Sequence, residues 1–139
     1  MTAILAKPYV FKDGLVKIDA DTFEHAVSGF SLVPTQSTVT WQAIVPAGAF
    51  SDSTSPSWTC TVNYAQDWDT DGSLSQYLMD NAGQTKTVEF TPANAGAGST
   101  TFTVDVIIAP GPIGGEVNTV QTGSVSMGVV GEPVRGVAA

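Results

Sequence analysis

The stretch NYAQDWDTDGSLSQYLMDNAG, residues 63–83, is the only part of this chain with a clear helical period. Its apolar residues recur at intervals of three and four, which places them on one face of a helix. These residues are Leu74, Tyr77, Leu78 and Ala82. Asp71 or Ser73 can cap the start, and Gly83 can adopt the left-handed conformation that ends a helix. The sequence therefore predicts a helix over about residues 72–82 whose apolar face packs against the rest of the chain.

Most of the remaining chain alternates between apolar and polar residues, which is the period of a β-strand. Asp13-Gly14 is a turn dipeptide, and it predicts a short hairpin of residues 9–11 against residues 15–18. The pattern predicts a mainly β fold with one helix laid on a sheet. We expect the other strands at residues 26–33, 38–45, 58–64, 85–91, 100–108 and 120–130.

Three segments lack either period. Residues 1–8 predict an N-terminal arm, and residues 132–139 predict a C-terminal tail. Residues 46–57, PAGAFSDSTSPS, are rich in Ser and Pro and predict a long loop with the apolar Phe50 at its centre. No repeat divides the chain, and 139 residues suffice for one hydrophobic core, so we expect a single domain over residues 1–139.

The charge and cysteine content exclude several classes of protein. Thirteen acidic residues against five basic ones give a net charge of −8, which argues against a surface that grips nucleic acid. The single cysteine, Cys60, excludes an internal disulfide framework, and its place in an alternating strand predicts a buried thiol. No secretory signal or apolar run of membrane length is visible, so we expect synthesis in the cytoplasm.

An acidic run inside the opening stretch is the sharpest chemical motif. Asp67, Asp69, Asp71 and Gly72 match the first half of a calcium-binding loop, in which alternating carboxylates converge on the cation. The match ends there, because the twelfth position is Leu78 instead of a bidentate Glu. The sequence favours a solvated acidic turn whose last Asp caps the helix, with a cation site at the three carboxylates as the alternative.

Catalytic constellations are missing from the sequence. His25 is the only histidine, and there is no Gly-x-Ser-x-Gly motif and no zinc-ligand spacing. Trp41, Trp58 and Trp68 could form a sugar-binding platform, but two of them lie on apolar strand faces, which favours core packing. We therefore expect a protein that is not an enzyme and that uses no cofactor.

Four segments together resemble a phage major tail protein, the tail tube subunit of the long non-contractile tails of siphoviruses that infect actinobacteria. The first two are residues 58–78, with WTCTVNYAQDW followed by SLSQYL, and residues 82–92, AGQTKTVEFTP. The other two are residues 102–115, FTVDVIIAPGPIGG, and residues 124–133, SVSMGVVGEP. They cover most of the C-terminal 60% of the chain.

The resemblance implies a fold, an assembly and a location. Tail tube proteins are β-sandwiches or barrels with one flanking helix, similar to the tube proteins of type VI secretion. Six copies form a ring by pairing of sheet edges, and rings stack into a tube in the virion that conducts DNA into the host. The implied partners are further copies of the chain, the tape measure protein and DNA inside the tube, and tail terminator and distal tail proteins at its ends. No membrane binding is implied.

The tube that the resemblance implies also assigns candidate residues. Six copies at −8 each carry −48, and an acidic lumen would keep DNA from adhering. Asp105 and Glu89 are the candidate lumen acids because both fall on polar strand faces. The arm, the long loop and the tail are the expected contacts between subunits or rings. The contact candidates are Tyr9, Phe50, Ser51, Asp52 and Ser53.

Two alternatives stay open at this stage. The chain could be another tail component, such as a tail terminator. It could also be a small β-sandwich module that binds carbohydrate or another surface, and assembly into tubes would separate that class from the first.

Overall fold

A computed structural model describes residues 2–6, 8–10, 13–23, 25–93 and 98–137 of the chain. The described residues form nine β-strands and one α-helix. The elements are β1 (Leu15–Ile18), β2 (Asp21–Thr22), β3 (Val27–Thr35), β4 (Thr38–Gln42), β5 (Ala49–Ser53), β6 (Ser57–Ala65), α1 (Leu74–Asp80), β7 (Thr85–Thr91), β8 (Thr100–Ile107) and β9 (Thr122–Val137).

Seven of the strands form one antiparallel sheet in the order β2-β1-β7-β8-β9-β6-β3, while β4 and β5 pair only with each other. The prediction of a mainly β fold with one helix is confirmed. No helix among the described residues is both long enough and apolar enough to cross a membrane.

Strand β9 is the longest element, and the sheet folds back on itself around it. Its residues 122–128 pair with β6, and its residues 129–137 pair with β8. Phe30 on β3 and Phe90 on β7 have ring centroids 4.4 Å apart. In a flat sheet these two strands, four positions apart in the order, would be separated by about 19 Å. Because the rings touch, the two ends of the sheet lie over each other with the core between them.

The core is built from the inward-facing residues of both layers. Alternate residues of β6, β7, β8 and the first half of β9 are buried, while their neighbours are exposed or half-buried except for Thr91, which is also buried at the end of β7. The buried set includes Val62, Tyr64, Val88, Val104, Val106 and Met127. The alternation read from the sequence in residues 58–64, 85–91 and 100–108 therefore coincides with the burial pattern of the sheet.

Helix α1 begins and ends on specific caps. The Ser73 hydroxyl accepts a hydrogen bond from the Gln76 backbone N–H at 3.5 Å, so Ser73 takes the role that the sequence left open between Ser73 and Asp71. At the other end, the backbone and side-chain amides of Asn81 both donate to the Tyr77 carbonyl at 3.0 Å.

The packing face of α1 is narrower than the sequence predicts. Leu74 and Leu78 are buried in the core, and Tyr77 is half-buried with its ring 5.5 Å from that of Phe23. Ala82 does not belong to this face, and that prediction is wrong. The helix ends at Asp80, so Ala82 falls in the following turn, where it is exposed.

The long loop expected at residues 46–57 is a second error, because Ala49–Ser53 forms β5. This strand pairs with β4 over five residues, from Thr38 opposite Ser53 to Gln42 opposite Ala49. Its sequence, AFSDS, carries little apolar alternation because both of its faces are exposed. The strand is held by backbone pairing across the hairpin, which leaves no hydrophobic period to read.

The tail expected at residues 132–139 is also largely strand. Strand β9 continues to Val137 and pairs with β8, while residues 138–139 lie outside the described residues. A proline such as Pro133 usually ends a strand, but the pairing of β9 with β8 shifts register opposite it, between Thr103 and Asp105. A proline is tolerated in such an irregularity because no ladder hydrogen bond is required of it. Gly131, with φ +81, supplies the left-handed backbone that the irregularity needs.

The N-terminal hairpin predicted around residues 13–14 is not formed as expected. The chain reverses instead at residues 19–20, between β1 and β2, where Asp19 has a φ of +58 that Asp tolerates better than most residues. Tyr9 belongs to no strand, and Phe11 lies outside the described residues. Of the expected arm at residues 1–8, Met1 and Lys7 are likewise outside, and the others form no regular element.

We predict that Leu78→Ala lowers the free energy of unfolding by about 2–5 kcal/mol, because it removes a fully buried side chain between helix and sheet. Met79→Ala, one residue further on an exposed position, should change stability by no more than about 0.5 kcal/mol. Urea denaturation followed by circular dichroism measures both. Equal losses in the two variants would show that the assigned helix face is wrong.

We also predict that the Cys60 thiol is unreactive in the folded protein. Burial raises the pKa of this thiol to about 12, so almost no thiolate exists at pH 8 and no reagent reaches it. Because the folded protein keeps the proton longer than the unfolded chain, stability should fall as pH rises from about 9 towards 12. Cys60→Ala removes this alkaline loss.

A disulfide reagent such as dithionitrobenzoate measures the reactivity of Cys60 directly. Labelling at pH 8 should occur only as fast as the protein opens, and it should become immediate in concentrated urea. Ser126→Cys in the Cys60→Ala background is the control, because Ser126 is exposed on the outer face of β9. Fast labelling of folded wild-type protein at the rate of that control would contradict the burial of the thiol.

Candidate assembly surfaces

The β4–β5 ribbon, residues 38–53, extends the pairing of β3 with β6 beyond the body of the protein, and we call it the projecting hairpin. Every residue of β4 and of β5 is exposed. A junction of three residues joins it to the sheet. The Thr54 N–H donates to the Ser37 carbonyl at 2.8 Å, the Ser37 N–H donates to the Thr54 hydroxyl at 3.0 Å, and the Gln36 amide donates to the Thr54 carbonyl at 2.7 Å.

The projecting hairpin has one apolar and one polar face. Residues paired across an antiparallel ribbon point to the same side, and Trp41 pairs with Phe50 while Val39 pairs with Asp52. We call these four residues the apolar hairpin face. Trp41 and Phe50 keep 64% and 58% of their surface exposed. The opposite side carries Thr38, Thr40, Gln42, Ala49, Ser51 and Ser53.

This arrangement separates the contact candidates that the sequence proposed. Phe50 and Asp52 lie on the apolar hairpin face, while Ser51 and Ser53 lie on the polar one. Trp41 was expected in a core because its strand alternates, and that interpretation is wrong, since no second layer covers β4. The sequence missed Trp41 as a surface residue, and only its pairing with Phe50 reveals the role.

A groove of about 370 Å³ lies where the two layers of the sheet meet, and we call it the aromatic groove. Its walls are mostly aromatic and include Phe30, Trp58, Phe90 and Phe102, together with Arg135 of β9. Tyr9 also lines it, so this contact candidate belongs to the groove and not to the projecting hairpin. Sequence reasoning missed the groove, because its residues come from six separate segments.

Two polar groups in the aromatic groove have no partner in the described part of the chain. The Trp58 indole N–H is buried and donates to nothing there. Arg135 makes no hydrogen bond or ion pair there either. An orphaned buried donor costs about 1–3 kcal/mol, so the Trp58 indole is poorly satisfied in the isolated subunit, whereas the Arg135 guanidinium is exposed to solvent.

The outer face of the folded sheet is polar and holds both candidate lumen acids. Asp105 on β8 is exposed and accepts a hydrogen bond from the Thr87 hydroxyl at 2.8 Å. Glu89, two residues along β7 from Thr87, is half-buried with its carboxylate 3.9 Å from the Lys17 ammonium. The two acids therefore share one face of neighbouring strands, but among the described residues only Glu89 has a cation within ion-pair distance.

The acidic run is a turn built around one carboxylate. Asp67 accepts hydrogen bonds from the backbone N–H groups of Asp69, at 3.1 Å, and Thr70, at 3.2 Å. Hydrogen bonds from Thr70 lead the causes that lower the pKa of Asp67. Asp69 and Asp71 are exposed, and no group of three potential ligands that could hold a metal ion occurs among the described residues. The geometry is that of a hydrogen-bonded turn leading to the cap at Ser73.

Gln66 ties this turn to the long segment between β8 and β9. Its side-chain amide donates to the carbonyls of Gly114, at 3.1 Å, and Thr122, at 2.7 Å. Its side-chain oxygen accepts from the Gly114 N–H at 3.0 Å and from the Trp68 indole at 3.2 Å. Nothing in the sequence distinguishes Gln66 from other polar residues at strand ends, so this connecting role could not be predicted.

We predict that Asp67→Ala destabilises the protein at neutral pH, because the turn loses its acceptor for two backbone N–H groups. The pKa of Asp67 is lowered on folding, so its contribution is present above the ordinary value of 3.8 and disappears as pH falls through the lowered one. Thermal unfolding from pH 7 to pH 2 measures it. The melting temperatures of wild type and variant should therefore converge at the acid end.

Asp71→Ala is the matched control, because Asp71 is an exposed acid of the same turn. Its melting temperature should follow that of the wild type across the pH range. An Asp67→Ala variant that also follows the wild type would show that the turn does not depend on this carboxylate.

Comparisons with known proteins do not identify a family for this chain. No protein-family model matches the sequence, and a search of curated proteins finds no significantly similar relative.

Proposed function

We propose that this protein is a phage major tail tube subunit, whose copies form hexameric rings that stack into a tube. The lumen conducts phage DNA during ejection into the host. The observation that carries the proposal is the projecting hairpin. It displays Trp41 and Phe50 on a ribbon that no other part of the described chain covers.

An exposed aromatic pair of this size argues for assembly. Aromatic side chains bury about 150–250 Å² each when they are covered, and contiguous exposed apolar surface marks interaction sites in soluble proteins. Ile44 and Val45 extend the apolar surface at the tip of the same hairpin. An exposed apolar ribbon does not stabilise a monomeric protein, whereas a subunit that polymerises buries the ribbon against its neighbour.

The edge of the sheet supports closure into a ring. Within the described chain, β3 pairs with β6 on one side only and ends the strand order. Its nine residues leave a row of backbone groups free to pair with another strand. Pairing of that edge with a neighbouring copy would satisfy these groups, and in a closed ring every copy would have its β3 edge paired in this way.

The charge supports a conduit for a polyanion. A ring of six carries −48, and a like-charged wall repels DNA at short range. Of the two candidate lumen acids, Asp105 contributes more to such a wall, because the Lys17 ammonium beside Glu89 offsets part of the Glu89 charge. In the tube, DNA and the tape measure protein would pass through the lumen, with tail terminator and distal tail proteins at the ends.

The exposed aromatic pair also supports a second candidate, a module that binds carbohydrate through Trp41 and Phe50. Sugar rings stack on exposed aromatic faces in the way that the hairpin offers them. Such a module would stay monomeric and bind glycans, whereas a tube subunit forms rings or filaments. Negative-stain electron microscopy of purified protein, with glycan binding measured in parallel, separates the two.

A shortened hairpin tests the tube directly. Thr38 and Ser53 are paired, so Asn-Gly can replace residues 39–52 and close the ribbon with a two-residue turn. We expect a folded monomer with an unchanged unfolding transition that forms no tubes. Thr40→Ala, on the polar face of the hairpin, serves as a control and should polymerise normally. Tubes of normal diameter and yield from the shortened chain would contradict the assignment.

A further inference from the structure

We propose that the apolar hairpin face of one copy docks in the aromatic groove of a second copy, with Asp52 pairing with Arg135 across the contact. The inference rests on the proposed tube function and names the surface that receives the projecting hairpin. Both halves of the contact are on the same chain, and no described residue fills the groove or covers the hairpin face.

The two surfaces match in chemistry. The apolar hairpin face presents an indole and a phenyl ring beside Val39. The aromatic groove presents mostly apolar walls and a cavity of about 370 Å³, which falls in the size range of ligand-binding clefts. Aromatic side chains seated in such pockets dominate the energetics of protein interfaces.

The apolar hairpin face and the aromatic groove each carry one charged residue, and the two charges have opposite signs. Asp52 is the only charged residue in the projecting hairpin, and among the described residues Arg135 is the only charged one that lines the aromatic groove. One carboxylate on an apolar ribbon and one guanidinium in an apolar groove fix both the partner and the register of the contact.

Arg135 is also exceptional among the described cations of this acidic chain. Lys17 lies 3.9 Å from Glu89, and Lys86 lies 3.8 Å from Asp19. Of the three described lysine and arginine side chains, only Arg135 has no carboxylate within ion-pair distance. In a chain of net charge −8, a cation left without an anion is available for one that another molecule supplies.

The occupant is a second copy because the hairpin of the same chain is held away from its own body. Gln36 and Ser37 bind Thr54 at the junction, and all residues of β4 and β5 are exposed. Each copy then carries one hairpin and one groove at different places. Such a contact is heterologous and continues from copy to copy, which produces a closed ring or an extended polymer.

Charge reversal tests the pairing, with tube yield measured by sedimentation and electron microscopy. We expect Asp52→Lys and Arg135→Glu each to lower the yield at least about tenfold, because each places like charges in a desolvated contact. Each mutant alone fails, but an equimolar mixture of the two should polymerise, since every contact between unlike chains is again matched. The double variant in one chain should recover to within about threefold of wild type.

A control variant and a folding check keep the outcomes separate. Asp80→Lys makes the same charge change on an exposed helix residue and should assemble as the wild type does. Circular dichroism and urea denaturation verify that every variant is folded. Wild-type protein that stays monomeric overturns the proposed function and the docking together. Two results would overturn only the docking. In the first, both single variants assemble as well as the wild type does. In the second, the wild type assembles, but the folded double variant and the mixture of single variants stay monomeric.

Discussion

The pairing of β9 with two different strands is the constraint on which the rest of the structure depends. Its first half extends the ladder of β6 and its second half extends that of β8. Because one continuous strand belongs to both halves, the sheet can fold over without a break in its hydrogen bonding. The contact between Phe30 and Phe90 closes the fold, and helix α1 covers part of the core with Leu74 and Leu78.

In the part of the chain that the structure describes, the same fold leaves one surface with unpaired polar groups and another without a covering layer. Closure of the two layers produces the aromatic groove, where an indole N–H and a guanidinium have no partner in the described chain. The continuation of β3 and β6 into β4 and β5 produces a ribbon with no layer behind it. The contact with another copy that we propose would cover both surfaces, so an assembling subunit accounts for them more economically than an isolated module does.

Local rules predicted the elements that depend on local chemistry. Ser73 caps α1 because its hydroxyl satisfies a free N–H one turn ahead, and this signal is readable in four residues. Strand β7 has the predicted bounds because buried Val88 and Phe90 alternate with polar neighbours. Strand β5 was not predictable in this way, because a ribbon exposed on both faces needs no apolar period. The continuation of β9 past Pro133 was hidden by an irregularity that only the pairing with β8 accommodates.

The alternation of strands and the one helical period were present in the amino-acid order and were enough for the fold class. The amino-acid order did not show which apolar faces are covered. Residues 39–41 and residues 58–62 both read as strands with one apolar face, yet Trp41 is exposed while Cys60 and Val62 are buried. Burial depends on whether a second layer lies over the strand, and that is set by distant pairings such as those of β9. The same long-range packing brings Arg135 beside Trp58, and with it the groove that we propose receives a second copy.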